Sequence, residues 1–189
     1  MCSRFPIVNP IERLHLFFIK GDFKMYNIND TVMYASYGVC RITSIVKRDF
    51  SGEDIEYYVL QPVSDSKNTF YVPTSFGTLR DKMRRVYSRE EVEELINVMP
   101  DEKLIWIDND SERKEAYRNI IESGDRIQLV KLIKTLYIKR ETLSQNHKKL
   151  HSADERFLHD AENMLYDEFA YALNIPKDEV ISYIKQRVN

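Results

Sequence analysis

The sequence predicts an α+β protein: a small, strongly bent β-barrel over residues 25–87, then an all-α bundle of about five helices over residues 88–189. Three observations carry this. β-branched and aromatic residues crowd the first stretch and are broken by turn residues at short intervals. From Ser88 the apolar spacing becomes helical. Strands come first and helices afterwards, which argues for separate units and against a wound α/β sheet.

The run TVMYASYGVCRITSIVKRDF reads as strand, with Gly38 as its break. Ser51-Gly52 lies between two strand-like runs, a hairpin signal. SDSKN is a polar turn, and TFYVPT is a further strand whose Pro73 places it at a sheet edge. Several short strands in about 60 residues suit a small barrel. Then SREE forms a capping box, Ser88 with Glu91. Val92, Leu95, Ile96 and Met99 follow on one helical face, and Pro100 closes that helix. Asp110 or Ser111 caps the next, with Ala116, Tyr117, Ile120 and Ile121 inward and Gly124 as its stop. Asp125 starts a third helix with Leu129, Leu132, Ile133, Leu136 and Tyr137 on one side. SQNHKK breaks the chain. SADE is a second capping box, Ser152 with Glu155, ahead of Phe157, Ala161, Met164, Leu165, Phe169 and Ala172. Pro176 sits near the first turn of a last helix, to about Val188.

Residues 1–24 fit neither unit. IERLHLFFIK is too short and too charged for a secretory signal. KGDFK precedes Met25, and one codon choice for it reads as a ribosome-binding site. The expectation is that Met25 is the natural start and residues 1–24 are translated leader; a disordered arm is the other reading.

Composition narrows the function. A chain of 189 residues can bury a real core. The formal charge of −2 argues against a protein that grips nucleic acid unaided. Cys2 and Cys40 cannot make a disulfide framework, and no Cys/His set has metal spacing. The expectation is a reducing, cytoplasmic setting with no metal and no cofactor. No apolar run approaches the roughly 20 residues a membrane helix needs.

No catalytic constellation emerges. The glycines are scattered singly, with no phosphate loop. His147 and His151 straddle a helix break and read as solvated loop histidines. The acidic clusters DEK, DND and SGED read as caps and turns. The chain reads as a binding protein, not an enzyme, with no small-molecule substrate.

Basic residues favour the second unit, sixteen Lys/Arg against eight in residues 25–87. Lys131, Lys134, Lys139, Arg140, Lys148, Lys149 and Arg156 crowd a short stretch. Lys131 and Lys134 lie opposite the leucine stripe and run towards a loop and a helix start, where phosphates can be held. A solvated helix face is the plainer alternative.

Four stretches resemble the CarD/CdnL family of bacterial transcription regulators: INDTVMYASYGVCRITSI; SGEDIEYYVLQ; FYVPTSF with MRRV; and SGDRIQLVKLIKTLY followed by KKLHSADERFLHDAENMLYDEFA. They span nearly all of residues 25–175 in the family's order, and the ordered set is more specific than any one motif. The resemblance implies a Tudor-like barrel at 25–87, similar to that of the transcription-repair coupling factor, that binds the RNA polymerase β subunit. It implies a helical domain at 88–189 that contacts promoter DNA near the upstream edge of the −10 region and stabilises the open complex. A polymerase- or protein-interaction module without significant DNA binding is the rival.

Residue by residue, the resemblance assigns polymerase binding to Arg48, Phe70, Tyr71 and Val72. Arg48 matches a basic position. Tyr71 stands where some members are basic, and the strand around it suits strand-to-strand addition. Core packing is the other reading of Phe70 and Val72. DNA contact is assigned to Arg156, Arg113, Trp106, Lys148 and Lys149. In many members a tryptophan before the matching Ser123-Gly124-Asp125 helix junction wedges into the minor groove. Counting back places Asp110 there, with Trp106 four residues earlier and Glu112 and Glu115 where basic residues are expected. Trp106, the single tryptophan, is either a displaced wedge or, with Leu104, Ile105 and Ile107, the dock of a loop onto the bundle or barrel.

Overall fold

A computed structural model describes residues 25–49, 54–64, 67–75 and 77–188. The leader reading of residues 1–24 and the Ser51-Gly52 turn lie outside them. Five strands come first: β1 Thr31–Tyr34, β2 Val39–Asp49, β3 Asp54–Pro62, β4 Phe70–Pro73 and β5 Met83–Arg85. They form one antiparallel sheet in the order β4-β3-β2-β1-β5. Five α-helices follow: α1 Arg89–Val98, α2 Asp110–Ser123, α3 Arg126–Gln145, α4 Ser152–Leu173 and α5 Val180–Val188. The α+β class and the strand-then-helix order are as the sequence predicts.

The sheet buries runs as well as alternate positions: Tyr57 to Leu60 of β3 are buried without a break. Val32, Cys40, Ile42, Tyr58, Leu60 and Val72 converge into one buried cluster. Each aliphatic side chain among them contributes about 1.5–3 kcal/mol by leaving water. The β2–β3 register shifts between Ile42 and Ser44. A bulge of this kind bends the strand and increases its twist. Gly38 follows a 3-10 turn at Ala35–Tyr37 and takes φ 78, a left-handed value that favours glycine. The strands flanking the expected hairpin pair out to Asp49 and Asp54. Burial holds the Cys40 thiol high, at about 11.

Helix boundaries follow the capping rules, with two corrections. Ser88 and Glu91 make the full capping box, Gly124 ends α2 at φ 63, and Asp125 caps α3 by accepting from Gln128 N at 2.9 Å. The cap of α2 is Asn109, not Asp110 or Ser111; its side chain accepts from the amides of Ser111 and Glu112. The cap of α4 is His151, not Ser152, so the expected Ser152–Glu155 box is replaced by a bond from Ala153 N to His151 Nδ1. This start puts Asp154 in the first turn, where its buried carboxylate meets Arg113. Tyr137, expected inside, is 42% exposed.

Two apolar clusters pack about α3 and α4. One joins Val92, Leu95 and Ile96 of α1 to Ile127, Val130, Leu165, Phe169 and Val180. The other joins Tyr117 of α2 to Leu129, Leu132, Leu136, Leu158 and Met164.

The two units meet along α4. Glu168 is fully buried. It accepts from Arg84 Nη1 at 2.9 and 3.0 Å, from Arg126 Nε at 3.1 Å, from Arg126 Nη2 at 2.6 Å and from Tyr87 N at 3.0 Å. Arg126 Nη2 also reaches the carbonyl of Arg85 at 2.7 Å. One residue earlier, Asp167 sits against Gly38, where an added Cβ would come within 3.1 Å of its Oδ2. One turn later, Tyr171 OH lies 2.9 Å from Thr31 Oγ1.

Candidate functional site

The segment between α1 and α2 folds back as a strap across α3. Three α3 side chains hold it. Lys134 Nζ donates to the carbonyls of Pro100 at 2.6 Å, Glu102 at 2.7 Å and Met99 at 3.4 Å. Lys131 Nζ pairs with Glu102 at 3.2 Å. Thr135 Oγ1 accepts from Ile105 N at 2.9 Å. A carbonyl cluster at a helix end attracts a cation, so these lysines turn inward and do not form a solvent-facing basic stripe as the sequence suggests.

Trp106 lies in this strap. Its ring is half-buried and packs on the Tyr117–Leu129 cluster together with Ile105. The indole Nε1 donates to Asp108 Oδ1 at 2.9 Å. Arg113 Cζ lies 4.4 Å and Lys139 Nζ 4.3 Å from the ring centre. Cations at that range are attracted to the face of an indole. The exposed member of the apolar run is Leu104, at 49%.

Arg113 is buried, not presented. Nε and Nη2 donate to the two carboxylate oxygens of Asp154 at 3.1 and 3.2 Å, Nη2 also to Asp110 Oδ1 at 2.8 Å, and Nη1 to Ile107 O at 2.9 Å. It ties α2, the strap and the first turn of α4 together. With 5% of its surface open, the guanidinium assigned to DNA by the sequence is engaged here by partners within the protein. Among the described residues, the buried side-chain polar atom of this region without a partner is the Tyr117 hydroxyl. Its pKa is pushed up to about 12, by burial first and then by Asp154.

Three expected cations stay outside. Lys148 and Lys149 are exposed in the α3–α4 loop, and Arg156 lies on the second turn of α4 with 83% of its side chain open. The contact of Arg156 is a loose one, 3.8 Å to Asp160. The loop itself is ordered: His147 takes φ 54, and the amides of His147 and Lys148 close on Ser144 O and Leu143 O at 3.0 and 2.9 Å. Three cations therefore project from one fixed end of the bundle. Arg140, the remaining member of the group, lies 4.7 Å from the Tyr137 ring centre and 4.0 Å from Glu155.

In the sheet unit, β4 is an edge strand. Val72 pairs with Tyr58 and is fully buried, so outward it offers backbone alone. Tyr71 is 39% exposed. Phe70 is half-buried beneath Tyr37, with ring centres 4.3 Å apart, and Tyr37 stacks on Tyr34 at 5.7 Å. Arg48 is exposed near the far end of β2. Tyr37, half open to solvent, is absent from the sequence-based set. Its signal is an aromatic placed in the turn just before Gly38.

Among the described residues, no group of three or more His, Cys, Asp or Glu could hold a metal ion. No helix among them is long and apolar enough to cross a membrane.

Comparison with known families gives two matches. Residues 26–87 match the model described as the CarD-like/TRCF RID domain. Residues 94–185 match the model described as the CarD C-terminal domain. No curated protein matches the chain.

Proposed function

Because the chain belongs to the CarD family of regulatory, non-enzymatic proteins that interact with RNA polymerase, we propose that it docks on the polymerase β subunit through β4 and steadies the open promoter complex with the α3–α4 end. Arg48, Tyr71, Phe70 and the backbone at Val72 form the polymerase face. Lys148, Lys149 and Arg156 meet DNA near the upstream edge of the −10 region.

The observation that carries this reading is the division of the basic residues. Lys131, Lys134 and Arg113 are bound internally, while Lys148, Lys149 and Arg156 are exposed at one end. Three phosphate contacts on a nearly neutral protein give weak, salt-sensitive binding to free DNA. Docking on polymerase raises the effective concentration of that end, so modest contacts suffice. The open state gains only what binds it better than the closed one. A difference of about 1.4 kcal/mol changes the ratio tenfold.

Trp106 is read as the anchor of the strap. The Asp108 bond and the two cations over its ring support that role over a wedge in DNA. The acidic residues Asp108, Asp110, Glu112 and Glu115 around it favour a second reading, polymerase binding without DNA contact. Open-complex lifetime on a fluorescent promoter with the cognate polymerase separates the two. The first reading expects a longer lifetime with the protein and loss of that gain in Arg156→Glu. A gain that survives Arg156→Glu and the Lys148→Glu, Lys149→Glu pair supports the second. No gain from the wild type removes the first.

A further inference from the structure

We infer that Glu168 is a positioning residue: it fixes the angle between sheet and bundle, so that polymerase docking on the sheet sets where the cations of the bundle stand. This rests on the function proposed above. The geometry is specific. Of the donors to Glu168, Arg84 lies on β5, Tyr87 in the junction and Arg126 on the first turn of α3. β5 and β4 are the two opposite edges of the sheet. The edge proposed for polymerase is thus separate from the edge clamped to the bundle.

A carboxylate with no solvent exposure and four donors from three segments admits a narrow range of geometries. Removing one partner of such a pair leaves a buried charge unmatched. The neighbours on α4 confine the same motion: Asp167 against Gly38 and Tyr171 against Thr31. Residues 167, 168 and 171 lie on one helical face, so one ridge of α4 meets the sheet unit at three points, beside the bond from Arg126 of α3 to the Arg85 carbonyl. A short junction alone limits reach; this ridge also limits rotation.

Arg84→Met is the discriminating variant. It removes the direct bond of Glu168 to β5 and keeps its bonds to Arg126 on α3 and to the Tyr87 amide in the junction; of the Glu168 network, the bond from Arg126 to the Arg85 carbonyl then remains to the sheet. Residual dipolar couplings of the full chain, polymerase affinity and open-complex lifetime are measured together. The expectation is one shared alignment tensor in the wild type, two in Arg84→Met, unchanged polymerase affinity, and loss of most of the lifetime gain. A shared tensor and a full lifetime gain in Arg84→Met overturn the inference. If that variant does not fold, Arg84→Lys, which keeps the charge but not the guanidinium, takes its place, and an unaltered tensor in it is equally decisive. If the wild type has no lifetime effect while the tensors still split, the positioning role in domain geometry stands and the polymerase reading fails.

Discussion

Arg113 Nε lies 3.1 Å from Asp154 Oδ1, with both side chains buried between α2 and the start of α4. The pair ties α2 to the first turn of α4, two residues before Arg156. Arg113→Met leaves Asp154 an unmatched buried carboxylate. The expected loss is about 3–5 kcal/mol in denaturant unfolding. Arg113→Met combined with Asp154→Leu removes both charges and is expected to lose less than Arg113→Met alone. A smaller loss in the single variant shows that water reaches the pair.

Lys134 and Lys149 make a contrasting pair. Lys134→Met frees three carbonyls of the strap and is expected to lower stability by about 2 kcal/mol, leaving the salt dependence of promoter binding unchanged. Lys149→Glu is expected to keep stability within about 0.5 kcal/mol and to reduce the salt slope of the polymerase-bound complex by about one phosphate contact. Denaturation and a salt titration of complex lifetime check both. Exchanged outcomes place the DNA contact on the strap.

Trp106→Phe keeps an aromatic plate between the strap and the Tyr117 cluster. It is expected to retain the lifetime gain. Trp106→Ala removes the plate and is expected to lose about 3 kcal/mol of stability, with any lifetime loss following the loss of fold on warming. A stable Trp106→Ala protein with no lifetime gain returns the indole to a direct DNA role.

On the sheet, Tyr71→Glu and Arg48→Glu are expected to weaken polymerase binding while the melting temperature holds. Val72→Ala should do the reverse, costing about 2 kcal/mol through a cavity. Affinity for the isolated β subunit and thermal unfolding separate these effects. Full affinity in Tyr71→Glu excludes β4 as the docking edge.

Acid provides a test of the α4 ridge. Burial alone would raise the pKa of Glu168; Arg84 and Arg126 overcome it and hold the carboxyl at about 2, against an ordinary 4.5. A depressed carboxylate stabilises the fold above its unfolded pKa, and that stability is lost as pH falls through the folded value. The unfolded chain binds its proton first, so stability should fall between about pH 4.5 and 2, by about 3 kcal/mol in total. Glu168→Gln is expected to flatten this part of the stability curve. An unchanged slope in that variant assigns acid unfolding to other carboxylates.

Local rules are legible in the chain and tertiary ones much less so. The Ser88–Glu91 box, the Gly124 stop and the edge position of β4 each depend on a few neighbouring residues, and each can be read directly. The destinations of the lysines cannot. Lys131 and Lys134 have the spacing of solvent-facing residues, and only the return of the strap over α3 covers them in part and ties them to it. Arg113 likewise reads as a surface cation until Asp154 is brought opposite it. Glu168 does carry a signal: a carboxylate set within the apolar face of Ala161, Met164, Leu165 and Phe169. A charge in such a stripe demands a buried partner, but the sequence does not say that the partner comes from 84 residues earlier.

The short β4 edge has a consequence for solubility. An open strand edge that recruits a partner also exposes the chain to self-pairing, the route by which sheets grow into aggregates. Here the edge is four residues long and ends in Pro73, which has no amide hydrogen to offer. Such an edge accommodates one short incoming strand and gives poor support to a growing stack. A short, proline-ended edge of this kind is therefore compatible with the docking role proposed for β4 without inviting self-assembly.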